Sequence, residues 1–126
     1  MPVIGSGKFK LQPVFARDVA RLYADALENE NAKNKIFEIA GPQVYSFVQL
    51  LNEVGNHIGK KRLKIHIPIT IMALAARVME KVLPAPPITT DQLIMLQEDN
   101  ICHTKEIKQT FNISLTPLRD GMREYL

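Results

Sequence analysis

The stretch that decides the fold is residues 35–59, which read KIFEIAGPQVYSFVQLLNEVGNHIG. Its first part, Ile36–Ala40, is a short apolar run that the Gly41–Pro42 pair ends, as is typical of a buried strand. Ser46 then precedes Gln49 by three residues, which is the spacing of a capping box, and an apolar helical stripe follows. A strand that leads into a capped helix indicates an α/β fold.

The segments on either side extend this pattern. Upstream, Lys8–Phe15 is predicted to be a strand that Pro13 confines to a sheet edge, and a helix with one apolar stripe follows it. Downstream, Leu63–Ile67 alternates apolar and polar residues as a third strand would. Further helices are predicted at residues 68–83, from Thr89, over Thr104–Phe111 and from Thr116–Pro117. We therefore predict a small α/β fold, mainly helical, with two or three short strands.

The helix predicted at residues 68–83 has more apolar surface than so short a chain can cover. A second apolar face lies beside the first, and it contains Ile71, Leu74, Ala75, Val78 and Val82. Because methionine and small apolar side chains adapt to many partner surfaces, we predict that the first face is an interface. The predicted interface residues are Ile69, Met72, Ala76 and Met79. The sequence thus predicts an incomplete domain or one side of an interface.

Composition limits the class of protein. We interpret residues 1–126 as one domain, and the single cysteine, Cys102, excludes an internal disulfide and a cysteine-rich zinc site. Lys and Arg number 16 against 13 Asp and Glu, and so mild an excess does not predict nucleic-acid binding. The chain start has no signal-peptide pattern, and no apolar run is long enough to span a bilayer. We expect a cytoplasmic protein that a partner would bring to a membrane surface.

Motifs for catalysis are missing from the sequence. There is no phosphate-binding loop, and Gly5–Gly7 supplies two glycines of a dinucleotide fingerprint ahead of a strand, not between a strand and a helix. The three histidines have no carboxylate at ligand spacing, so we predict no metal site. One basic cluster, Lys60–Arg62 with Lys64, is interpreted as a solvated loop, with a phosphate-binding patch as the alternative.

Three segments occur in an order that characterises a known family. Gln12–Ala20 (QPVFARDVA) is similar to a strand-to-helix segment that ends in a V-x-D-V-A pattern, and Lys35–Phe47 to the next strand and its capped helix. Thr104–Arg123 is similar to the C-terminal end of the same family. Together they resemble the extended short-chain dehydrogenases/reductases, the NAD-dependent epimerase/dehydratase family. Thr89–Asn100 most resembles its atypical branch, related to the nucleotide-binding accessory subunit of respiratory complex I.

The resemblance implies that the chain is the C-terminal, substrate-binding part of a longer parent protein. An upstream Rossmann domain would be its partner and would bind NAD or NADP, and this part alone is expected to bind neither. The catalytic Tyr-x-x-x-Lys of the family is absent, because Leu27 and Gln49 stand four residues after Tyr23 and Tyr45. The chain alone is therefore not expected to be an enzyme, whereas the parent would be an oxidoreductase or epimerase, or would use its nucleotide structurally.

The resemblance also implies a location for the substrate cleft. Asp18 is expected to hold the start of the first helix, as Ser46 holds the start of the second. The stretch just before Asp18 would lie beside the cleft. Its expected substrate or cofactor contacts are Gln12, Val14, Phe15 and Arg17.

Two other interpretations remain at the sequence level. In the first, the chain is a non-enzymatic interaction module that docks through the helix at residues 68–83, as a homodimer or as an accessory subunit of a respiratory complex. In the second, that helix and the basic cluster at residues 60–64 form a membrane-peripheral surface. Poor separation of polar and apolar faces on the helix disfavours the second.

Overall fold

The computed structural model describes residues 1–60 and 62–125, in which short strands and longer helices alternate before the chain becomes helical. The strands are β1 Pro2–Ile4, β2 Lys10–Leu11, β3 Tyr45–Ser46 and β4 Ile65–Ile67. The helices are α1 Ala16–Glu28, α2 Phe47–His57, α3 Ile69–Val82, α4 Thr90–Met95, α5 Lys105–Phe111 and α6 Leu118–Met122. This arrangement confirms the predicted fold class.

The chain forms two compact units, each built from two separate stretches of sequence. Unit 1 contains Met1–Lys10 and Ser46–Asn100, and unit 2 contains Leu11–Tyr45 and the chain from Ile101 onward. β2 and β3 pair with each other, and one boundary between the units falls inside each of these two strands. That residues 1–126 form one substrate-binding domain stays a prediction.

Unit 1 is organised by the parallel pairing of β1 with β4. The Gly5 N–H continues the ladder by donating to the Ile67 carbonyl at 2.8 Å. Val3, at the centre of β1, is fully buried, as are Ala76 on α3 and Leu93 on α4. The sequence analysis missed β1 because three residues beside the chain start are too few to display a strand period.

The predicted capping box is present at the start of α2, in unit 1. The Gln49 N–H donates to Ser46 Oγ at 3.2 Å, and the Ser46 N–H donates to Gln49 Oε1 at 2.8 Å. Thr89 and Gln92 exchange the same pair of bonds at the start of α4. Gly59 follows α2 with a φ of +66°, as predicted for a residue that ends a helix in the left-handed conformation. Local sequence therefore sets where α2 begins and ends.

Unit 2 is built around α1 and α5, which pack against each other. Phe37 and Phe111 meet edge to face with ring centroids 5.2 Å apart. Asn112 adopts the left-handed conformation and ends α5. The buried core consists of Leu22, Ile107, Ile113 and Leu115, with Phe37, Ile39 and Phe111 packed around it.

The prediction of a strand at Ile36–Ala40 is wrong, because these residues do not pair with another strand through backbone hydrogen bonds. Alternate side chains still face inward, since Phe37 and Ile39 pack on the core of unit 2 while Ile36 is 94% exposed. The apolar run thus reflects side-chain packing and not backbone pairing. The strand predicted at Lys8–Phe15 is likewise reduced to Lys10–Leu11.

The last helix also begins later than predicted. Pro117 and not Thr116 is the N-cap of α6, and the Pro117 side chain makes no capping bond. The hydroxyl and the N–H of Thr116 both donate to Asp18, a contact made in the tertiary fold.

Candidate functional site

Three of the residues predicted to line the cleft, Gln12, Val14 and Phe15, lie on the segment that links β2 to α1. The fourth, Arg17, lies in the first turn of α1, and all four belong to unit 2. The Gln12 side chain joins two other parts of that unit. Its Nε2 donates to the Gly41 carbonyl at 2.8 Å, and its Oε1 accepts from the Cys102 N–H at 3.0 Å. The Gly41 N–H returns a bond to the Gln12 carbonyl at 3.3 Å. Gln12 is therefore held on both its amide atoms.

The two apolar residues of the segment, Val14 and Phe15, are half-buried. Phe15 contacts Tyr125 edge to face, with ring centroids 6.0 Å apart. Its ring also lies over Gly121, where an added Cβ would be 2.9 Å from the Phe15 ring. A glycine is therefore needed beneath this ring, which fixes the ring in place while part of it stays exposed.

The two charged residues at the start of α1 have different environments. Arg17 is exposed and pairs with the Glu124 carboxylate at 2.9 Å. Asp18 is buried and accepts from the Thr116 N–H at 2.6 Å and from the Thr116 hydroxyl at 2.9 Å. Asp18 lies in the first turn of α1 as expected, but its carboxylate does not cap that helix. It instead attaches the start of α1 to the segment that leads into α6.

Chemically, this segment forms a rigid, partly apolar wall. Gln12 and Asp18 use their polar atoms within unit 2, and Phe15 presents an aromatic surface. Arg17 alone among the four predicted cleft residues offers charged donors at the surface, because a planar guanidinium bound to one carboxylate retains further N–H groups. The arrangement is suited to shaping and binding a ligand and contains no acid–base pair.

Cys102 is half-buried in unit 2. Burial, and secondarily the negative charge of Glu38, raises the pKa of the Cys102 thiol. Since the thiolate is the nucleophilic form, a raised pKa makes this cysteine a weak nucleophile near neutral pH.

The glycine turn at residues 5–7 does not fit a dinucleotide phosphate. It connects β1 to β2, and the first N–H groups of the neighbouring helix α2 are already used, since the Val48 N–H donates to the Gly7 carbonyl at 3.2 Å and the Phe47 N–H to the Phe9 carbonyl at 3.0 Å. The side chains of Val48 and Val3 occupy the space next to Gly7, since a Cβ there would lie 2.6 Å from Val48 and 2.8 Å from Val3. The residues present thus hold no cofactor cradle at this turn.

Neither a metal-binding cluster nor a membrane-spanning helix is found among the described residues. No cluster of three or more His, Cys, Asp or Glu side chains is close enough to bind a metal ion within residues 1–60 and 62–125. Over the same residues, every helix falls short of the length and hydropathy that a bilayer span requires. Lys61 of the predicted basic cluster lies outside the described residues.

The predicted interface on α3 is the less exposed of the two apolar faces of that helix. Ala76 is fully buried and Ile69, Met72 and Met79 are half-buried, and their role in an interface stays a prediction. The other apolar face is the open one, and we name it the α3 stripe. It consists of Ile71, Leu74, Val78 and Val82, which are between 55% and 73% exposed. The sequence did not show which of the two faces would be exposed, because both are apolar. Burial of the small residue Ala76 distinguishes them in the structure.

The chain has relatives among subunits of a mitochondrial respiratory enzyme, although no protein-family profile matches it. The mitochondrial 40 kDa subunit of NADH-ubiquinone oxidoreductase from Neurospora crassa is 29% identical over 84 residues, covering 67% of this chain and 22% of that protein. Subunit 9 of the mitochondrial NADH dehydrogenase (ubiquinone) 1 alpha subcomplex from Arabidopsis thaliana is 31% identical over 117 residues, covering 86% of this chain and 29% of that protein.

A solved structure supplies the fold. Triphenylmethane reductase from Citrobacter sp., crystallised with NADP(H), matches 99% of this chain and 44% of its own with a TM-score of 0.67. At 17% sequence identity this match shows the fold alone. In sequence and fold together, the chain is similar to the C-terminal part of an atypical short-chain dehydrogenase/reductase. It spans less than a third of the length of the curated relatives it matches.

Proposed function

We propose that this chain completes the substrate cleft of an NAD- or NADP-binding short-chain dehydrogenase/reductase and is not catalytic alone. The observation that supports this most is the fold match to an NADP(H)-bound reductase, which covers 99% of this chain but 44% of the reductase. A nucleotide-binding Rossmann half would supply the remainder. Substrate specificity would then come from this part, and cofactor binding from the other.

The contacts in unit 2 give this part a defined role. Gln12 and Phe15 are held by neighbours on other segments, so the wall they form keeps its shape when a ligand binds. Phe15 and Val14 would exclude water from the reacting atoms, and Arg17 would donate to an anionic group of the substrate. Proton and hydride transfer would rest with residues of the Rossmann half.

The first test is the size and nucleotide affinity of the natural polypeptide, detected in source-cell lysate with an antibody to this chain. We expect a species at least twice 14.2 kDa that binds NAD or NADP in calorimetry, whereas the isolated chain binds neither. A natural polypeptide of 14.2 kDa would overturn the proposal, because no Rossmann half would be attached.

A second test asks whether this part shields the bound cofactor. In the natural polypeptide, Phe15→Ala should raise acrylamide quenching of bound NADPH fluorescence about twofold, because the ring no longer excludes solvent. Arg21→Ala is the matched control and should not change quenching. Arg21 lies in the second turn of α1 and pairs with Asp25 at 3.7 Å. Equal quenching in the two variants would contradict a cleft position for Phe15.

A second candidate function is supported by the α3 stripe. Its four exposed aliphatic side chains form one helical face without a covering element among the described residues. Here the chain would be a non-enzymatic module that docks on respiratory-chain subunits, in line with the names of its relatives, or on a second copy. Such docking would bring it to a membrane surface through its partner.

Light scattering after size exclusion tests the second candidate. Leu74→Ser combined with Val78→Ser should abolish self-association or co-purification with respiratory subunits, because it removes the centre of the stripe. Arg77→Ser combined with Lys81→Ser on the same helix is the matched control. A wild-type protein that stays monomeric at high concentration and co-purifies with no respiratory subunit would contradict this function.

A further inference from the structure

A groove in unit 1 lies beside the C-terminal turn of α2. Its volume is about 460 Å³, within the range of small-ligand sites. One side is apolar and consists of Leu51, Val54 and Ile58, which recur along one face of α2 and its end. The other side is basic and consists of Lys60, Arg62 and Lys64. A ligand in this groove meets an aliphatic wall and a cationic rim together.

The rim charges are not neutralised from within the groove. The described lining residues include no Asp or Glu, and Lys60 and Arg62 form no ion pair with any residue that the structure describes. The Lys64 ammonium donates to the amide oxygen of Asn52, which is uncharged and leaves the full positive charge in place. Three cations on one rim therefore give the groove a positive potential.

The end of α2 does not cancel this potential. A helix C-terminus is negative because its last carbonyls are unpaired. Here three of them accept hydrogen bonds. The Ile58 N–H donates to the Val54 carbonyl at 3.1 Å, the Lys60 N–H to the Gly55 carbonyl at 2.9 Å, and the Gly59 N–H to the Asn56 carbonyl at 3.3 Å. The rim cations thus remain available to an anion.

We propose that this groove binds an anionic amphiphile, a single acyl or alkyl chain that carries a phosphate or carboxylate head. The apolar chain lies along Leu51, Val54 and Ile58. This contact favours binding because it removes the apolar surface of the chain and of these side chains from water. The head group lies against Arg62, whose planar guanidinium binds two oxygens at once, and against Lys60. The proposal does not depend on the proposed function, because unit 1 alone supplies every residue.

Other anions fit this groove less well. Inorganic phosphate would use the rim and leave the apolar wall wet. A nucleic-acid strand requires aromatic surfaces for its bases, and none of the lining residues is aromatic. The combination of wall and rim therefore selects for a ligand that is apolar at one end and anionic at the other.

Calorimetry on the natural polypeptide with dodecyl phosphate, below its micelle concentration, tests the proposal. Dodecyl phosphate should bind at least about tenfold more tightly than inorganic phosphate or than uncharged dodecyl maltoside, since each of these lacks one half of the interaction. Lys60→Gln with Arg62→Gln should weaken binding about tenfold, and Ile58→Ser, which changes an exposed part of the wall, should weaken it several-fold.

Two matched controls separate the groove from general surface effects. Arg77→Gln with Lys81→Gln removes the same charge from α3, and Ile71→Ser removes an exposed isoleucine from the α3 stripe, so neither should alter binding. Absence of wild-type binding would overturn the proposal, as would inorganic phosphate binding equally tightly. Equal losses in the controls, or binding seen with phosphatidylglycerol vesicles but not with the monomeric probe, would assign the effect to a surface and overturn it as well.

Discussion

Among single residues, Asp18 is a buried charged side chain whose contacts join two distant stretches of unit 2. Asp18→Asn removes the charge from two hydrogen bonds to Thr116 at a buried position, so we expect a loss of about 1–3 kcal/mol in the free energy of unfolding by urea. Asp25→Asn is the control, because that carboxylate pairs with exposed Arg21 at 3.7 Å and its loss should cost less than about 0.5 kcal/mol. Equal costs would mean that the Thr116 contact contributes no net stability.

Gly41 offers a second test at the scale of one residue. A Cβ at Gly41 would lie 1.8 Å from the Pro13 carbonyl oxygen, so Gly41→Ala must displace the backbone and should lower the free energy of unfolding by more than about 3 kcal/mol. Gly59→Ala meets nothing within 4 Å and should cost about 1 kcal/mol, from its positive φ alone. Similar urea midpoints for the two variants would contradict the close approach at Pro13.

Cys102 provides a test that depends on pH. Its raised pKa means that iodoacetamide should label it more slowly at pH 8 than a solvated peptide thiol, with the midpoint of the pH–rate profile above that of the peptide. Glu38→Gln should lower that midpoint, and Glu106→Gln should leave it unchanged. Because the folded state holds the thiol proton more tightly, the thiol stabilises the fold below the unfolded pKa, and this contribution is lost as pH rises through the folded pKa. A midpoint at or below the peptide value would contradict the effect of burial.

At the scale of elements, the short helix α4 depends on a contact from α3. The Glu80 carboxylate accepts from the Thr90 N–H at 2.6 Å and from its hydroxyl at 3.0 Å. Glu80→Ala should therefore speed hydrogen exchange across α4 about tenfold or more, because six residues form a marginal helix without tertiary support. Glu98→Ala, beyond the end of α4, is the control. Unchanged exchange in Glu80→Ala would show that the cap at Thr89 suffices.

The elements that could be predicted from sequence are those specified by local contacts. The helix α2 is one, since Ser46, Gln49 and Gly59 set its ends within a single stretch. The strand wrongly predicted at residues 36–40 differs, because an apolar run reports burial and not the presence of a pairing partner. The link from Asp18 to Thr116 was equally out of reach, since 98 residues separate the two.

The use of each residue of the candidate site could not be predicted from sequence. Gln12 to Arg17 do form one segment, and its position in a cleft stays a prediction. Sequence gave no sign that both amide atoms of Gln12 would be occupied within unit 2, because its partners lie far along the chain. On α3, two faces of equal hydropathy left the open one undetermined until Ala76 was seen to be buried.

At the scale of the whole molecule, this chain leaves much apolar surface uncovered for its size. The four residues of the α3 stripe in unit 1 and Ile36 in unit 2 are each more than half exposed. A chain that spans less than a third of its curated relatives is expected to present such surfaces to the rest of a protein or to a partner. The size and nucleotide affinity of the natural polypeptide test whether the rest of a longer protein covers these surfaces. Light scattering and co-purification test whether a partner covers them.

The interleaving of the two units also has a consequence for synthesis on the ribosome. Unit 1 has its full sequence once Asn100 emerges, whereas Leu11–Tyr45 must wait for the stretch from Ile101 onward, which carries α5 and α6. Until then Leu22 and Phe37 lack the partners that bury them, and this stretch is open to proteases and chaperones. A nascent chain stalled near Asn100 would thus carry one finished unit and one unprotected segment, and quality control would act on the segment.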